Sequence, residues 1–335
     1  MSDNLSLVYA GVPYEDRVGA LFRSEIQPAR VRLVCIPFHD VADLFRRMSV
    51  HMEFPVAEMS VASTARMIGR GASSVIALPV FLSRAFRHSQ IYVRLDAAIA
   101  EPRDLEGKRL GVIEYEMTAA VWIRGLLADE YDVDLSSIHW FTGGWEQPST
   151  KHRSDQVYPG VQLTRVQDRS LVELLIAGEL DGVIGPKAPS ALRTHPEVIG
   201  RLFPDYRAVE TEYFRRTQIY PMMHHVVIRR EVYDENRWLP EVLVEAFSQA
   251  KAAGLQRLWD YDKPAVMHPW IVDELSSLQD TLGVADPFAY GIPANLDTLN
   301  TLLRYCSEQG LTPNHLSVED VYAAEILDWV EVQGI

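Results

Sequence analysis

Residues Val75 to Ser89 read Val-Ile-Ala-Leu-Pro-Val-Phe-Leu-Ser-Arg-Ala-Phe-Arg-His-Ser. The stretch from Val75 to Val80 is an apolar run of the kind that forms a buried strand, and Pro79 withholds one backbone donor from it. The second half sets Arg84, Arg87 and His88 between Ser83 and Ser89. A buried strand that ends in such a cluster either ties its cations into structural pairs or holds an anion.

Outward from this stretch the chain alternates strands and helices. Leu5 to Ala10 and Val31 to Ile36 read as strands, with Val18, Leu21 and Phe22 striping a helix between them. Asp40 is placed to cap a helix striped by Val41, Leu44, Phe45 and Met48, and Ser60 to cap an alanine-rich helix that stops near Gly69 and Gly71. A second unit begins at Asp104 to Val112, where a polar turn with Gly107 feeds a strand and then a helix from about Thr118 to Glu130. Leu171, Leu174 and Leu175 stripe a helix that ends at Gly178, before a strand from Gly182 to Gly185. Strand, helix and strand in this rhythm imply parallel pairing. Beyond the apolar segment Ile219 to Ile228, which carries His224 and His225, the chain turns helical. Ser317 with Asp320 offers a late cap, and the polar stretch from Gly143 to Tyr158, with Lys151 and Arg153, reads as a long loop and a candidate lid.

Composition narrows the function. The 335 residues, 47% hydrophobic and 10% aromatic, are enough for two domains with sizeable cores. A net charge of −14 argues against nucleic acid and against anionic membranes as partners. It also repels an anionic substrate at long range, so an aromatic acid needs a local cationic pocket. The two cysteines, Cys35 and Cys306, fit neither a zinc spacing nor a disulfide framework. No metal, dinucleotide or P-loop motif stands out, so no cofactor and no metal are expected. The opening residues lack a basic start with a long apolar core, and the expected location is the cytoplasm.

Several blocks together resemble the 4,5-dihydroxyphthalate decarboxylase family. They are Glu58-Met59-Ser60, Ala77 to Phe81, Ser83 to Ser89, Met117 to Gly125, Leu202 to Tyr206, Met223-His224 and Gln309 to Thr312, and they span nearly the whole chain. The turns at Gly107-Lys108-Arg109 and Ala177 to Gly182 resemble those of type 2 periplasmic-binding-protein folds. That likeness implies an α/β chain with two lobes, each a mixed, mostly parallel sheet flanked by helices, and a ligand cleft between them. Lobe one would take residues 1–97 and 222–335, lobe two 98–221, with hinge strands near Arg84 to Val93 and Ile219 to Val227. The implied activity is non-oxidative decarboxylation of a dihydroxylated aromatic diacid, 4,5-dihydroxyphthalate giving protocatechuate and CO2, without a cofactor. The rival readings are a solute-binding protein for an aromatic carboxylate and a decarboxylase of another hydroxybenzoate. A small-molecule aromatic diacid is the expected partner, and a homo-oligomer is left open.

Such a reaction needs a proton for the ring carbon, a partner for the phenol and a clamp for the carboxylates. His88 and His224 are the acids considered, since histidine titrates near neutral pH. His225 should point to the opposite strand face from His224. Arg84 is the preferred clamp, sharing a strand face with His88 if the alternation continues, while Arg87 points away or is a surface cation. Lys187 is either a second clamp or a solvated loop residue. Glu114 either accepts the phenolic proton or caps a helix, and Tyr115 and Thr118 stand beside it at a helix start that suits an anion. Ser60 and Ser63 begin another helix. Tyr14 and Trp145 are aromatic walls, or Trp145 anchors its own loop.

Overall fold

The computed structural model describes residues 4–72, 74–149, 157–263, 265–284 and 286–332. The described strands are β1 (Leu5–Gly11), β2 (Val31–Pro37), β3 (Val56–Ser60), β4 (Val75–Arg84), β5 (Ile91–Arg94), β6 (Arg109–Val112), β7 (His139–Thr142), β8 (Gln162–Arg165), β9 (Gly182–Ile184), β10 (Ile199–Arg201) and β11 (Met222–Arg229). They form two mixed sheets with the orders β2-β1-β3-β11-β4 and β10-β5-β9-β6-β7-β8. In the first, β1 runs parallel to β2 and β3, whereas β11 is antiparallel to both β3 and β4. In the second, β9, β6, β7 and β8 are parallel in turn, and β5 is antiparallel to β9 and β10. The parallel pairs come from the strand and helix rhythm. The antiparallel ones come from β5 and β11, with which the chain enters the second sheet and returns to the first.

Two compact units result. Unit one takes Met1–Ala85, Thr217–Leu303 and Asn314–Ile335; unit two takes Phe86–Arg216 and Arg304–Pro313. The first crossing falls at Ala85, ahead of the expected residue 97, because β5 is already paired inside the second sheet. Residues 304–313 were expected in lobe one. They pack instead on the helix Thr118–Tyr131, where Tyr305 donates to Asp129 (2.8 Å) and Gln309 donates to the Val121 carbonyl (2.9 Å). Of the stretch expected as a lid, residues 143–149 and 157–158 carry no helix or strand, and Lys151 and Arg153 lie outside the described residues. No helix among the described residues is long and apolar enough to cross a membrane.

In unit one, Leu7, Val56, Leu78, Val80 and Val226 of the sheet pack with Leu243, Val244, Phe247 and Ala250 of the helix Leu239–Leu258. Unit two builds its core from Leu171, Leu175, Leu180, Val183 and Trp145. The helix starts follow local chemistry. Asp40 accepts from the Ala42 and Asp43 amides, Ser60 accepts from the Ser63 amide, and Ser317 and Asp320 form a capping box.

Pro79 has a structural consequence for β4. It offers no N–H to the ladder, and the pairing with β11 shifts there: Val226 faces Leu78, but His224 faces Ser83. The resulting irregularity sets the end of β4 beside His224 and brings Arg84 opposite Met222.

A close backbone approach fixes the loop after β1. A Cβ on Gly254 would lie 2.3 Å from the Asp16 carbonyl oxygen, so the loop that carries Tyr14 and Arg17 rests directly on the helix Leu239–Leu258. Gly254→Ala must therefore push this loop away and should destabilise the protein by about 1–3 kcal/mol, the range for overpacking. Chemical denaturation measures it. An unchanged unfolding midpoint would show that the loop yields freely.

Candidate active site

Glu58 lies in the middle of β3, a strand buried along its whole length, and the residue itself is 0% exposed. A carboxylate at such a position persists only if it is hydrogen-bonded and paired. Its Oε2 accepts from the Val12 amide (2.9 Å), and its Oε1 accepts from the Tyr14 phenol (3.1 Å) and meets His224 Nδ1 at 2.7 Å. The three partners come from the loop after β1 and from β11. Strand register explains the third. His224 faces Ser60 across the β3–β11 pair, and Glu58 sits two residues along on the same face, a diagonal neighbour.

The contact fixes the imidazole. With Nδ1–H donated to the carboxylate, Nε2 carries the lone pair in the neutral ring and a second N–H in the protonated one. Nε2 has no hydrogen-bond partner among the described residues. Phe45 packs edge-on against the ring with centroids 4.9 Å apart. Burial and then Glu58 raise the Tyr14 phenol well above its usual range, so Tyr14 stays a donor. The Arg17 guanidinium lies 4.6 Å from the Tyr14 ring centroid and is held by Asp16 and by the Leu82 carbonyl (2.5 Å). His225 turns to the other face, as alternation requires. There its Nδ1 meets Tyr322 Oη (3.1 Å) and its Nε2 meets Thr64 Oγ1 (2.9 Å), and burial lowers it to about 3.

Ser60 stands opposite His224 and opens the helix Val61–Gly69, and the Ser63 hydroxyl bonds its Oγ at 3.2 Å. Arg84, at the end of β4, is half-buried. Its Nη2 donates to the Ala289 carbonyl (2.9 Å) and to Asn295 Oδ1 (2.5 Å), so the two-pronged grip expected of it is not available at that nitrogen. Burial lowers it to about 10, which leaves it cationic at neutral pH. Tyr290 and Tyr9 are fully buried with unpartnered hydroxyls. Tyr14, Ser60, Ser63, Arg84 and His224 thus belong to unit one.

His88, Glu114, Tyr115, Thr118, Trp145 and Lys187 belong to unit two. The expected strand alternation from Arg84 to His88 fails because β4 ends at Arg84 and His88 begins a 3-10 turn. His88 is 1% exposed, packed edge-on against Tyr131, Phe203 and Tyr213, and its Nδ1 has no partner. Burial, helped by Arg216, lowers it to about 4, so it is neutral at neutral pH and a poor source of protons. Arg87 is buried rather than a surface cation. Tyr115 is buried: Arg124 lies 3.7 Å from its ring centroid and donates to its carbonyl (2.6 Å). Trp145 is core as well, its ring pressed on the Gly185 backbone, where a Cβ would come within 2.7 Å. Met117, not Thr118, occupies the N-cap, and Thr118 is the buried first residue of the helix. Glu114 is half-buried and Lys187 exposed.

Sequence reasoning passed over Glu58 as a chemical group, along with Arg17, Tyr290 and Asn295. The one available signal was an acid inside the apolar strand Val56 to Met59, which must find a partner somewhere.

No family model matches the chain. It is 37% identical over 310 residues to the 4,5-dihydroxyphthalate decarboxylase of Comamonas testosteroni, covering 92% of this chain and 93% of the relative. It is 35% identical over 202 residues to the enzyme of the same name from Pseudomonas putida, covering 59% of this chain and 78% of the relative. Among solved structures it resembles the periplasmic aliphatic sulphonate binding protein SsuA of Escherichia coli, with a TM-score of 0.53, 11% identity and coverage of 97% and 99% of the two chains. A putative periplasmic sulfonate-binding protein from Methylobacillus flagellatus gives 0.56 at 13% identity, with coverage of 96% and 92%. At these identities the structures establish the shared two-lobed α/β fold.

The buried histidine of unit two makes stability depend on pH. His88 sits at about 4 in the fold against about 6.5 when unfolded, so below pH 6.5 the unfolded chain takes up a proton that the folded one refuses. Its contribution is whole above pH 6.5 and is lost as the pH falls to 4, by up to about 3 kcal/mol. Urea midpoints measured between pH 7 and 4 should fall less steeply in His88→Asn than in the wild type. Equal slopes would show that His88 is not held neutral.

Proposed function

Because the chain belongs to the 4,5-dihydroxyphthalate decarboxylase family, we propose that it releases CO2 from 4,5-dihydroxyphthalate by protonating the ring carbon that bears the carboxylate, with His224 as the acid and Glu58 as its orienting partner. The family makes the chain a carboxy-lyase. The observation that supports the assignment of roles is the 2.7 Å contact between His224 Nδ1 and the fully buried Glu58 carboxylate, with Nε2 unpartnered among the described residues.

The chemistry follows from the substrate. The hydroxyl para to the departing carboxylate pushes electron density onto the carbon that bears it. Protonated His224 delivers Nε2–H to that carbon, the bond to the carboxylate breaks, and its electrons restore the aromatic ring as CO2 leaves. The phenol keeps its proton throughout and His224 is reprotonated from solvent, so one proton enters, one CO2 leaves and no oxidant is needed. The product is protocatechuate. Glu58 fixes the ring orientation and offsets the imidazolium charge, the part a carboxylate plays behind other catalytic histidines. Tyr14, whose own hydrogen goes to Glu58, would accept a hydrogen bond from the substrate's phenolic hydroxyl. Ser60 and Ser63, at the start of the helix Val61–Gly69, are placed for a carboxylate or hydroxyl. His88, held neutral among aromatic rings, is the weaker acid candidate. We place the reaction in the cytoplasm, a location that suits the unpaired Cys35 and Cys306 and that cell fractionation tests.

Purified protein incubated with 4,5-dihydroxyphthalate should yield protocatechuate and CO2, with deuterium at the vacated carbon in deuterated water. Stoichiometric binding without product would favour a solute-binding protein instead. His224→Asn should lower kcat by at least about a hundredfold, and Glu58→Gln by a smaller but large factor, while His88→Asn stays near the wild-type rate. Retention of full activity by folded His224→Asn would remove it as the acid.

A further inference from the structure

Arg84 is a half-buried cation whose direct partners are all neutral. Nη2 is divided between the Ala289 carbonyl and Asn295 Oδ1. Asn295 is itself 5% exposed and locked, since its Nδ2 donates to the Ala289 carbonyl (3.0 Å) and to the Gly291 carbonyl (2.7 Å). No ion pair of Arg84 with a carboxylate is found among the described residues. Asp286 and Glu331 act on it at longer range, and both are bound to Lys251 Nζ, at 2.8 and 2.6 Å. Phe81 and Tyr220 give it aromatic contacts at 5.0 and 5.8 Å. Nε is buried without a partner, and Nη1 makes no hydrogen bond with any described residue.

A carboxylate at position 295 would cancel the Arg84 charge at contact distance, at the cost of the two hydrogen bonds that Asn295 Nδ2 donates to the Ala289 and Gly291 carbonyls. Asparagine has nearly the same shape and gives one acceptor without the charge. The amide therefore sets the position of Arg84 and leaves its attraction for an anion intact. Tyr290 adds a second signal. Its hydroxyl is buried and unpartnered.

We propose that Asn295 is a positioning and specificity residue. It holds Arg84 by one nitrogen through neutral contacts alone, so that Nη1 takes one carboxylate of an aromatic diacid as a single-point charge contact. The inference rests on reading the Glu58–His224 site as the decarboxylase site, and extends it by assigning the group that demands a second carboxylate on the substrate.

The test uses the whole chain and two readouts, calorimetric binding of phthalate, which has both carboxylates but no hydroxyl to drive the reaction, and steady-state turnover of 4,5-dihydroxyphthalate. Asn295→Asp should weaken phthalate binding and raise KM at least tenfold, with kcat changed much less and the unfolding midpoint lowered by the loss of the two Nδ2 hydrogen bonds. Wild-type affinity in that variant overturns the proposal. If Asn295→Asp does not fold, Arg84→Gln, which keeps a donor to Ala289 but drops the charge, must show the same loss, and unchanged binding there overturns it equally. Phthalate binding that depends on Arg84 in a protein without turnover would sink the decarboxylase reading while sustaining the anion contact. Turnover indifferent to both variants would do the reverse.

Discussion

A carboxylate with no exposure to water organises unit one. Glu58 sits where β3 is covered on both faces, and leaving it ionised without partners would cost several kcal/mol. The chain meets that demand with the Val12 amide, the Tyr14 phenol and the His224 imidazole, which lie 46, 44 and 166 residues away along the sequence. The loop after β1 is thereby pinned to the sheet edge by its backbone as well as its side chains. Its other end is fixed independently, by Arg17 on the Leu82 carbonyl and by Asp16 against Gly254. A histidine oriented this way needs no further machinery to be held in one tautomer, because the acceptor cannot turn away.

Irregularity in β4 does as much for the site as regularity in β3. An ideal ladder would carry the β4–β11 register unbroken from Val226 to His224. Pro79 cannot donate, so the ladder slips there and resumes with Ser83 facing His224. The slip brings a serine beside the imidazole and sends the Arg84 side chain toward Ala289 and Asn295, late in the sequence. The residue that withholds a hydrogen bond thus determines which cation joins the neighbourhood of the site.

What the sequence revealed and what it hid divide along the same physical line. Local chemistry was legible: the caps at Asp40, Ser60 and Ser317, the strand under Val75 to Val80, and the opposed faces of His224 and His225 all depend on residues within a few positions. The family was legible too, because its motifs are spread along the chain. The pairing of Arg84 with His88 was not, since counting alternate residues assumes a strand that goes on, and β4 stops at Arg84. Trp145 read either as a wall or as the anchor of its own loop because an aromatic ring near a loop looks alike whether it faces solvent or lies on Gly185. Glu58 was quoted as part of a motif without its role being seen, because its partners are set by sheet register and not by spacing.

Two buried cations, Lys251 and Arg124, and the half-buried Arg84 show how the same fold treats charge according to use. Lys251 is met by two carboxylates, Asp286 and Glu331, and Glu331 also accepts from the Tyr290 amide, so that ion cluster fastens the end of the chain. Arg124, in unit two, has no carboxylate partner among the described residues, but its guanidinium lies 3.7 Å from the Tyr115 ring centroid, and that π face, with Gln309 and the Tyr115 carbonyl, takes the place of an anion. Arg84 has neither remedy. Its contacts are neutral oxygens and its aromatic neighbours stand at 5.0 Å or more, too far to match the compensation that Arg124 receives. Arginine is costly to bury in this manner, and a purely structural role could be filled by a neutral side chain of similar length. The imbalance is what the proposed contact at Nη1 would relieve: a substrate carboxylate there would supply the counter-charge that the described residues leave out.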